Sequence, residues 1–184
     1  MQIGPYHSDE IVLCSADAGP SSQREKPDQA QYFFPGAKWV GALRNAAERL
    51  RCDFLILTTQ HGIVEPHQII VPYDLHINHH RQAVTEKWHA TIPALMIGHA
   101  YRLMIFYAGG CPRDEMIEVM LPILQQQRIA LLTFGRPNMY DVGKVEAIWN
   151  MLMRGTTDNG IKSILKVPKR FEYYPVGDIA LNKV

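Results

Sequence analysis

The sequence predicts an α/β protein, a three-layer sandwich in which helices cover both faces of a small, mainly parallel four-stranded sheet. Three observations carry this. Four short apolar runs recur along the chain, each with the length and continuity of a strand buried on both faces. Segments with apolar residues at helical spacing separate them, which is the alternation of an α/β fold. A length of 184 residues, 47% apolar and 20% charged, suits one soluble core and gives no sign of a second.

The first run, IVLCS at Ile11 to Ser15, is the first strand, and a long loop follows it. That loop, Ala16 to Pro35, is rich in Pro, Ser and Gln without any period, and loops of this length in compact domains usually carry function. Ala37 to Arg51 sets Val40, Leu43, Ala47 and Leu50 opposite Arg44, Glu48 and Arg49, an amphipathic crossover helix. FLILT at Phe54 to Thr58 is the second strand, and Thr58 to Leu75, TTQHGIVEPHQIIVPYDL, is too polar and irregular for core. Helices at Arg81 to Ala100 and Asp114 to Gln127 flank the third strand, RLMIFYA at Arg102 to Ala108; the second of them carries Met116, Val119, Met120 and Leu124. The fourth strand is IALLTF at Ile129 to Phe134, followed by a helix over Asp141 to Arg154. After Gly155, Lys162, Lys166, Lys169 and Arg170 are interleaved with Ile164, Leu165, Phe171, Tyr173 and Tyr174. With no repeat or linker in sight, residues 1–184 read as one domain with a basic and aromatic C-terminal appendage over 156–184.

Bulk properties set limits. Nineteen Lys and Arg against 18 Asp and Glu leave a net charge of +1, so overall charge makes no case for a polyanionic partner. Cys14, Cys52 and Cys111 are odd in number and far apart, which gives neither a disulfide framework nor a zinc spacing. Cys14, inside an apolar strand, reads as a small buried hydrophobe. No run approaches the roughly 20 apolar residues of a membrane span, and MQIGPYHSDE lacks the pattern of an export signal. The expectation is a cytoplasmic monomer without a membrane contact.

Open parallel sheets bind ligands beyond the carboxyl ends of their strands, so the four strand exits hold the candidate residues. The first exit, CSADAGP, offers Ser15 and Asp17. The second offers Gln60 and His61, then Tyr73 and Asp74 in a PYD triplet, with His67 read as a surface residue. The third, YAGGCP, offers Gly109 and Gly110, which let another group approach the backbone, and Tyr107, either a stacking ring or core. At the fourth, TFGRPN, Arg136 and Asn138 suit a phosphate or a base edge, or else a salt bridge and a helix cap. No GxGxxG follows the first strand and no GxxxxGK[ST] appears, which argues against a dinucleotide or nucleoside-triphosphate cradle. His76, His79 and His80 lack the HExxH spacing, so neither a metal nor another cofactor is expected. The C-terminal basic residues are either a surface that tracks nucleic acid or a solvated face.

Read together, CSADAGP, YFFPGAKW, TTQHGIVEPHQIIVPYD, FYAGG and TFGRPN resemble, in order, a family of small bacterial and phage domains whose members read LSAKHGLV, then Pro, then PYD. Only the TTQHGIV to PYD stretch is specific. That family is similar to the uracil-DNA glycosylase fold, and some of its members are identified as phage-defence DNA glycosylases that remove glucosylated hydroxymethylcytosine. The resemblance implies a monofunctional DNA N-glycosylase that binds modified phage DNA, flips a base and leaves an abasic site. This chain departs from the uracil enzymes at the motifs, with no GQDPYH after the first strand and GRPN in place of HPSP.

Cleaving such a bond develops positive charge on the sugar and negative charge on the base. Asp17 and Asp74 are the carboxylate candidates, and His61 or Asn138 the donors to the leaving base. Tyr73 or Tyr107 would stack on the base, with Ser15, Gln60, Gly109 and Gly110 around it. Arg136 and the residues Lys162, Lys166, Lys169 and Arg170 would grip phosphates. No lysine stands at a strand exit, so no Schiff base is expected. The alternatives are a nucleoside hydrolase or base-exchanging transglycosylase, and a non-catalytic nucleic-acid-binding module.

Overall fold

The computed structural model describes residues 1–109, 113–135 and 141–177. Its strands are β1 (Gln2–Ile3), β2 (Ile11–Ala16), β3 (Asp28–Gln29), β4 (Phe54–Thr58), β5 (Gly62–Val64), β6 (Ile69–Ile70), β7 (Leu103–Tyr107), β8 (Ala130–Thr133), β9 (Thr156–Thr157) and β10 (Glu172–Tyr174). The helices are α1 (Ala30–Phe33), α2 (Lys38–Leu50), α3 (Ile77–Met96), α4 (Arg113–Gln126), α5 (Val145–Arg154) and α6 (Asp158–Ile164).

The four apolar runs of the sequence are β2, β4, β7 and β8, which lie side by side and parallel in the order β8-β7-β2-β4. Both faces of these strands are covered, which is why polar residues are nearly absent from them. Ile11 and Leu13 of β2 join a core with Leu43 of α2 and Ile148 of α5, whereas Val12 and Cys14 join a second core with Trp88 of α3 and Met120 of α4. The result is an α/β sandwich.

The sheet exceeds the expected four strands. β5 pairs antiparallel with β4, and β10 pairs antiparallel with β8, making six strands of mixed sense. Both additions are three-residue edges, and an edge strand needs no long apolar run. The C-terminal segment is thus built into the sheet rather than appended to it.

The two stretches expected to be irregular pair with each other. β3, from the loop after β2, and β6, from the stretch after β4, form a two-stranded antiparallel ribbon with Asp28 opposite Ile70 and Gln29 opposite Ile69. Phe33 and Phe34 then bury that loop against the core. α3 starts at Ile77, four residues before the helix expected at Arg81, because buried Ile77 anchors a polar first turn that ends in a kink at His80. Among the described residues no helix is long and apolar enough to cross a membrane.

Counting only the parallel strands, the order is 2-1-3-4, and the chain leaves in opposite directions from β2 and β7. In a doubly wound sheet, that pair brackets the crevice where ligands bind, beyond the carboxyl ends.

Candidate active site

Asp17 is the first residue past β2, and its N–H donates to the Leu57 carbonyl (2.9 Å), extending the ladder to β4. Its carboxyl is buried, with one oxygen, Oδ2, accepting from the Thr59 N–H (2.9 Å) and the Tyr73 hydroxyl (2.5 Å). The Thr59 hydroxyl lies 3.2 Å from the same oxygen but 2.5 Å from the Leu75 carbonyl, so its single proton goes to Leu75. Burial pushes the Asp17 pKa up, and the Tyr73 and Thr59 donors, with the charge of His76, oppose it. A carboxyl held this way is a proton acceptor with more basicity than an exposed aspartate.

Asp17 lines a pocket of about 310 Å³ together with Gly19, Pro20, Ser22 and Gln23 of the following loop, Trp39, Tyr73, His76 and Met116. That is near the lower end of the roughly 300–1,000 Å³ range of small-molecule sites. Gln23 ties its walls: Nε2 donates to the Ala18 carbonyl (3.2 Å) and Oε1 accepts from the Tyr73 N–H (3.1 Å). The Tyr73 ring is held between a parallel stack on Phe33 (6.5 Å) and the edge of His61 (5.4 Å). Trp39, at the start of α2, donates from its indole to the Ala16 carbonyl (3.3 Å). Its ring lies directly on Gly109, where φ is +60° and a Cβ would overlap the indole. The glycine after β7 is therefore what lets the tryptophan sit over the crevice between β2 and β7.

A larger cavity, about 440 Å³, opens at the opposite edge, near the start of β4. Its Arg44, Glu48, Asp53, Glu65 and His99 are mixed in sign, and Asp53 is satisfied by the Tyr101 hydroxyl (2.5 Å). The smaller pocket has the buried acid and the position that open α/β sheets use, and it is the better candidate.

A family model described as a family of unknown function (DUF6884) matches residues 11–135, more than half of the chain. The chain belongs to the DUF6884 family. The region shared with DUF6884 runs from β2 through β8 and contains every residue named above as lining the pocket. The basic residues of the C-terminal segment lie outside it. No curated protein and no solved structure matches this DUF6884 chain.

Of the residues singled out from the sequence, Asp17 and Tyr73 meet in the pocket, and the Ala16 to Pro35 loop supplies a wall. Asp74 does not join them: its side chain is 79% exposed, with Oδ1 3.4 Å from His76 Nε2. His61 stands behind Tyr73 with its ring Nε2–H donating to the Val71 carbonyl (3.1 Å), so it supports the wall and is not placed to meet a leaving base. Gln60 is exposed on the β4–β5 turn, outside the pocket lining. Ser15 is fully buried, its hydroxyl on the Ala16 carbonyl (2.9 Å), and Tyr107 is fully buried edge-on to Phe134, a core ring with no open face. Gly110, Arg136 and Asn138 lie outside the described residues. His67 is exposed, as expected.

The basic residues differ in their surroundings. Lys162 is drawn to Asp158 (3.5 Å) and over the Phe171 ring, while Lys166 and Lys169 are exposed and Arg170 is half-buried. The Lys166 and Val167 N–H groups donate to the buried Asp141 carboxylate (2.7 and 3.0 Å), which pins this segment near the carboxyl end of β8. β10, which follows it, is three strands from β2, about 15 Å at ordinary inter-strand spacing. Sequence reasoning missed Trp39, Thr59, Gln23, His76 and Met116 as pocket residues. The tryptophan in the YFFPGAKW motif was the one available signal.

Proposed function

We propose that this protein hydrolyses the N-glycosidic bond of a nucleobase, with Asp17 as the group that faces the sugar carbon. The observation that carries the reading is the Asp17 carboxyl, buried at the β2/β7 crevice, polarised by Tyr73 and Thr59, and placed in a pocket walled by the aromatic rings of Trp39 and Tyr73. Bond cleavage leaves an electron-poor C1′, which an ionised Asp17 stabilises and to which it delivers water by taking a proton. Trp39 offers flat apolar surface of the kind that holds a base once it has left the stack, beside the rim of Tyr73. The sequence motifs favour a uracil-DNA-glycosylase-like enzyme that removes glucosylated hydroxymethylcytosine from phage DNA, in antiviral defence. Lys166, Lys169 and Arg170 lie toward the same sheet edge and would meet the flanking phosphates.

The test is incubation with duplex DNA containing glucosylated hydroxymethylcytosine, with unmodified DNA and with the free nucleoside, scored for released base and abasic sites. Release from modified DNA that is lost in Asp17→Asn supports the proposal. Release from the nucleoside alone makes the enzyme a nucleoside hydrolase, and no release from any of the three removes the N-glycosidase reading. Among the described residues no lysine lines the pocket, so borohydride is expected to trap no protein–DNA adduct.

A further inference from the structure

We infer that His76 is a second catalytic group of this pocket, the one that delivers a proton to the departing base, and that Asp74 is its positioning residue. The inference rests on the N-glycosidase reading above and assigns the half of the reaction that Asp17 leaves open. His76 belongs to a histidine cluster with no metal spacing, and Asp74 to a PYD triplet whose tyrosine alone turns into the pocket.

Three observations converge on His76. It lines the same pocket as Asp17, with its Cε1 against the Gly19 turn, where a Cβ would lie 3.9 Å away. A positive charge on it would favour the ionised form of the Asp17 carboxyl, against the burial that disfavours it. Its Nε2 is 3.4 Å from Asp74 Oδ1, and among the described residues Nδ1 has no hydrogen-bond partner. An imidazole with a carboxylate beside one nitrogen and no bonded partner on the other has the groups of an acid–base histidine. The ring is also half-exposed, so it regains a proton from solvent between turnovers. Among the described residues, the titratable groups that face it are Asp17 from the turn after β2, Asp74 from the segment before α3, and His79, edge-on at 6.3 Å, from α3 itself.

The chemistry balances with water alone. The C1′–N bond breaks and its electron pair goes to the base nitrogen, while the oxygen of water bonds to C1′. The water proton goes to ionised Asp17, and the His76 imidazolium proton goes to the base, which leaves neutral. His76 and Asp17 then return to their starting states by proton exchange with solvent. Such an acid contributes typically about 10² to 10⁴-fold.

The experiment is the pH dependence of base release from duplex DNA carrying glucosylated hydroxymethylcytosine, for the unmutated protein, H76Q, D74N and D74E. The proposal expects a bell-shaped profile for the unmutated protein. H76Q is expected to lose on the order of 10²-fold at neutral pH and to lose the alkaline limb, since glutamine has no proton to give the base. D74N is expected to lose less than H76Q and to shift the alkaline limb, and D74E to restore it. His76 and Asp74 are substantially exposed, so these variants are expected to melt within a few degrees of the unmutated protein. H76Q within twofold of the unmutated rate, or lowered equally at every pH, overturns this inference and leaves the N-glycosidase reading standing. No release by the unmutated protein overturns both.

Discussion

Asp17→Asn is expected to abolish activity while making the protein more stable, and the two effects have one cause. The carboxyl is buried and its folded pKa is raised, with burial the largest contribution. A group whose folded pKa lies above its unfolded value, about 3.9 for aspartate, contributes stability that is complete below that value and is lost as pH rises through the folded pKa. Each tenfold by which burial suppresses ionisation costs the native state about 1.4 kcal/mol at high pH. Asparagine cannot ionise and is free of this cost. Its carboxamide oxygen can still accept from the Thr59 N–H and the Tyr73 hydroxyl, the donors that reach Oδ2. The variant is therefore expected to gain about 0.5–2 kcal/mol near pH 8, the range of ordinary stability–activity trade-offs. Each kcal/mol is worth roughly 2–4 °C in a chain of this size. Thermal melts at half-unit intervals from pH 4 to pH 8 measure it, and the other carboxylates cancel in the difference between the two proteins. The advantage of the variant should grow with pH and vanish toward pH 4. A variant that is less stable than the unmutated protein, with a deficit that widens as pH rises, would refute this reasoning. That result would mean the Tyr73 and Thr59 donors hold the carboxylate better than burial disfavours it.

Gly109→Ala drives a methyl into the Trp39 indole at φ +60° and is expected to cost about 1–3 kcal/mol in urea unfolding. Much of that cost should disappear in a Trp39→Ala background, a coupling that a double-mutant cycle reads directly. Asp141→Asn keeps a residue type that tolerates φ +67° but leaves one of the Lys166 and Val167 N–H groups without its anionic acceptor. The expected loss is about 1–3 kcal/mol, with faster amide exchange concentrated over residues 166–170. Removing Lys166 and Lys169 together, both exposed, is expected to weaken duplex DNA binding and to reduce its salt slope by about one for each phosphate no longer neutralised. An unchanged slope would return those lysines to the solvated face.

The parallel strands were legible because burial on both faces writes itself into the chain as unbroken apolar runs. β5 and β10 were not, since a three-residue edge leaves no pattern long enough to read. Asp17 was found from its place at a strand exit, but the choice between Asp17 and Asp74 was not legible. Neighbouring side chains of a strand point to opposite sides, but no such pattern runs through residues 71–76, so composition does not say whether Tyr73 or Asp74 faces the pocket. Tyr73 turns in to Asp17 and Asp74 turns out to solvent. Strand alternation places Leu103, Ile105 and Tyr107 on one face of β7, in a core filled by α2 and α5, which accounts for Tyr107. Trp39 was hidden for another reason: as the second residue of an amphipathic helix it reads as part of the buried stripe, and only the glycine across the sheet reveals that it overhangs the crevice.

The pocket is closed by two segments that have no core of their own, and Tyr73 serves both their packing and the chemistry. Its backbone N–H is clamped by Gln23 and its hydroxyl donates to Asp17, so one residue ties the loop after β2 to the stretch after β6 and also sets the basicity of the acid. The two roles separate under different substitutions. Gln23→Leu releases the clamp without touching Asp17, so it is expected to raise KM and leave the acid limb of the pH–rate profile in place. Tyr73→Phe keeps the ring stacked on Phe33 but removes a donor that lowers the Asp17 pKa. With that donor gone the pKa rises further, so the acid limb is expected to move to higher pH. An acid limb that stays fixed in Tyr73→Phe would mean that the hydroxyl only closes the pocket and that burial, with the other contacts of Asp17, sets its basicity.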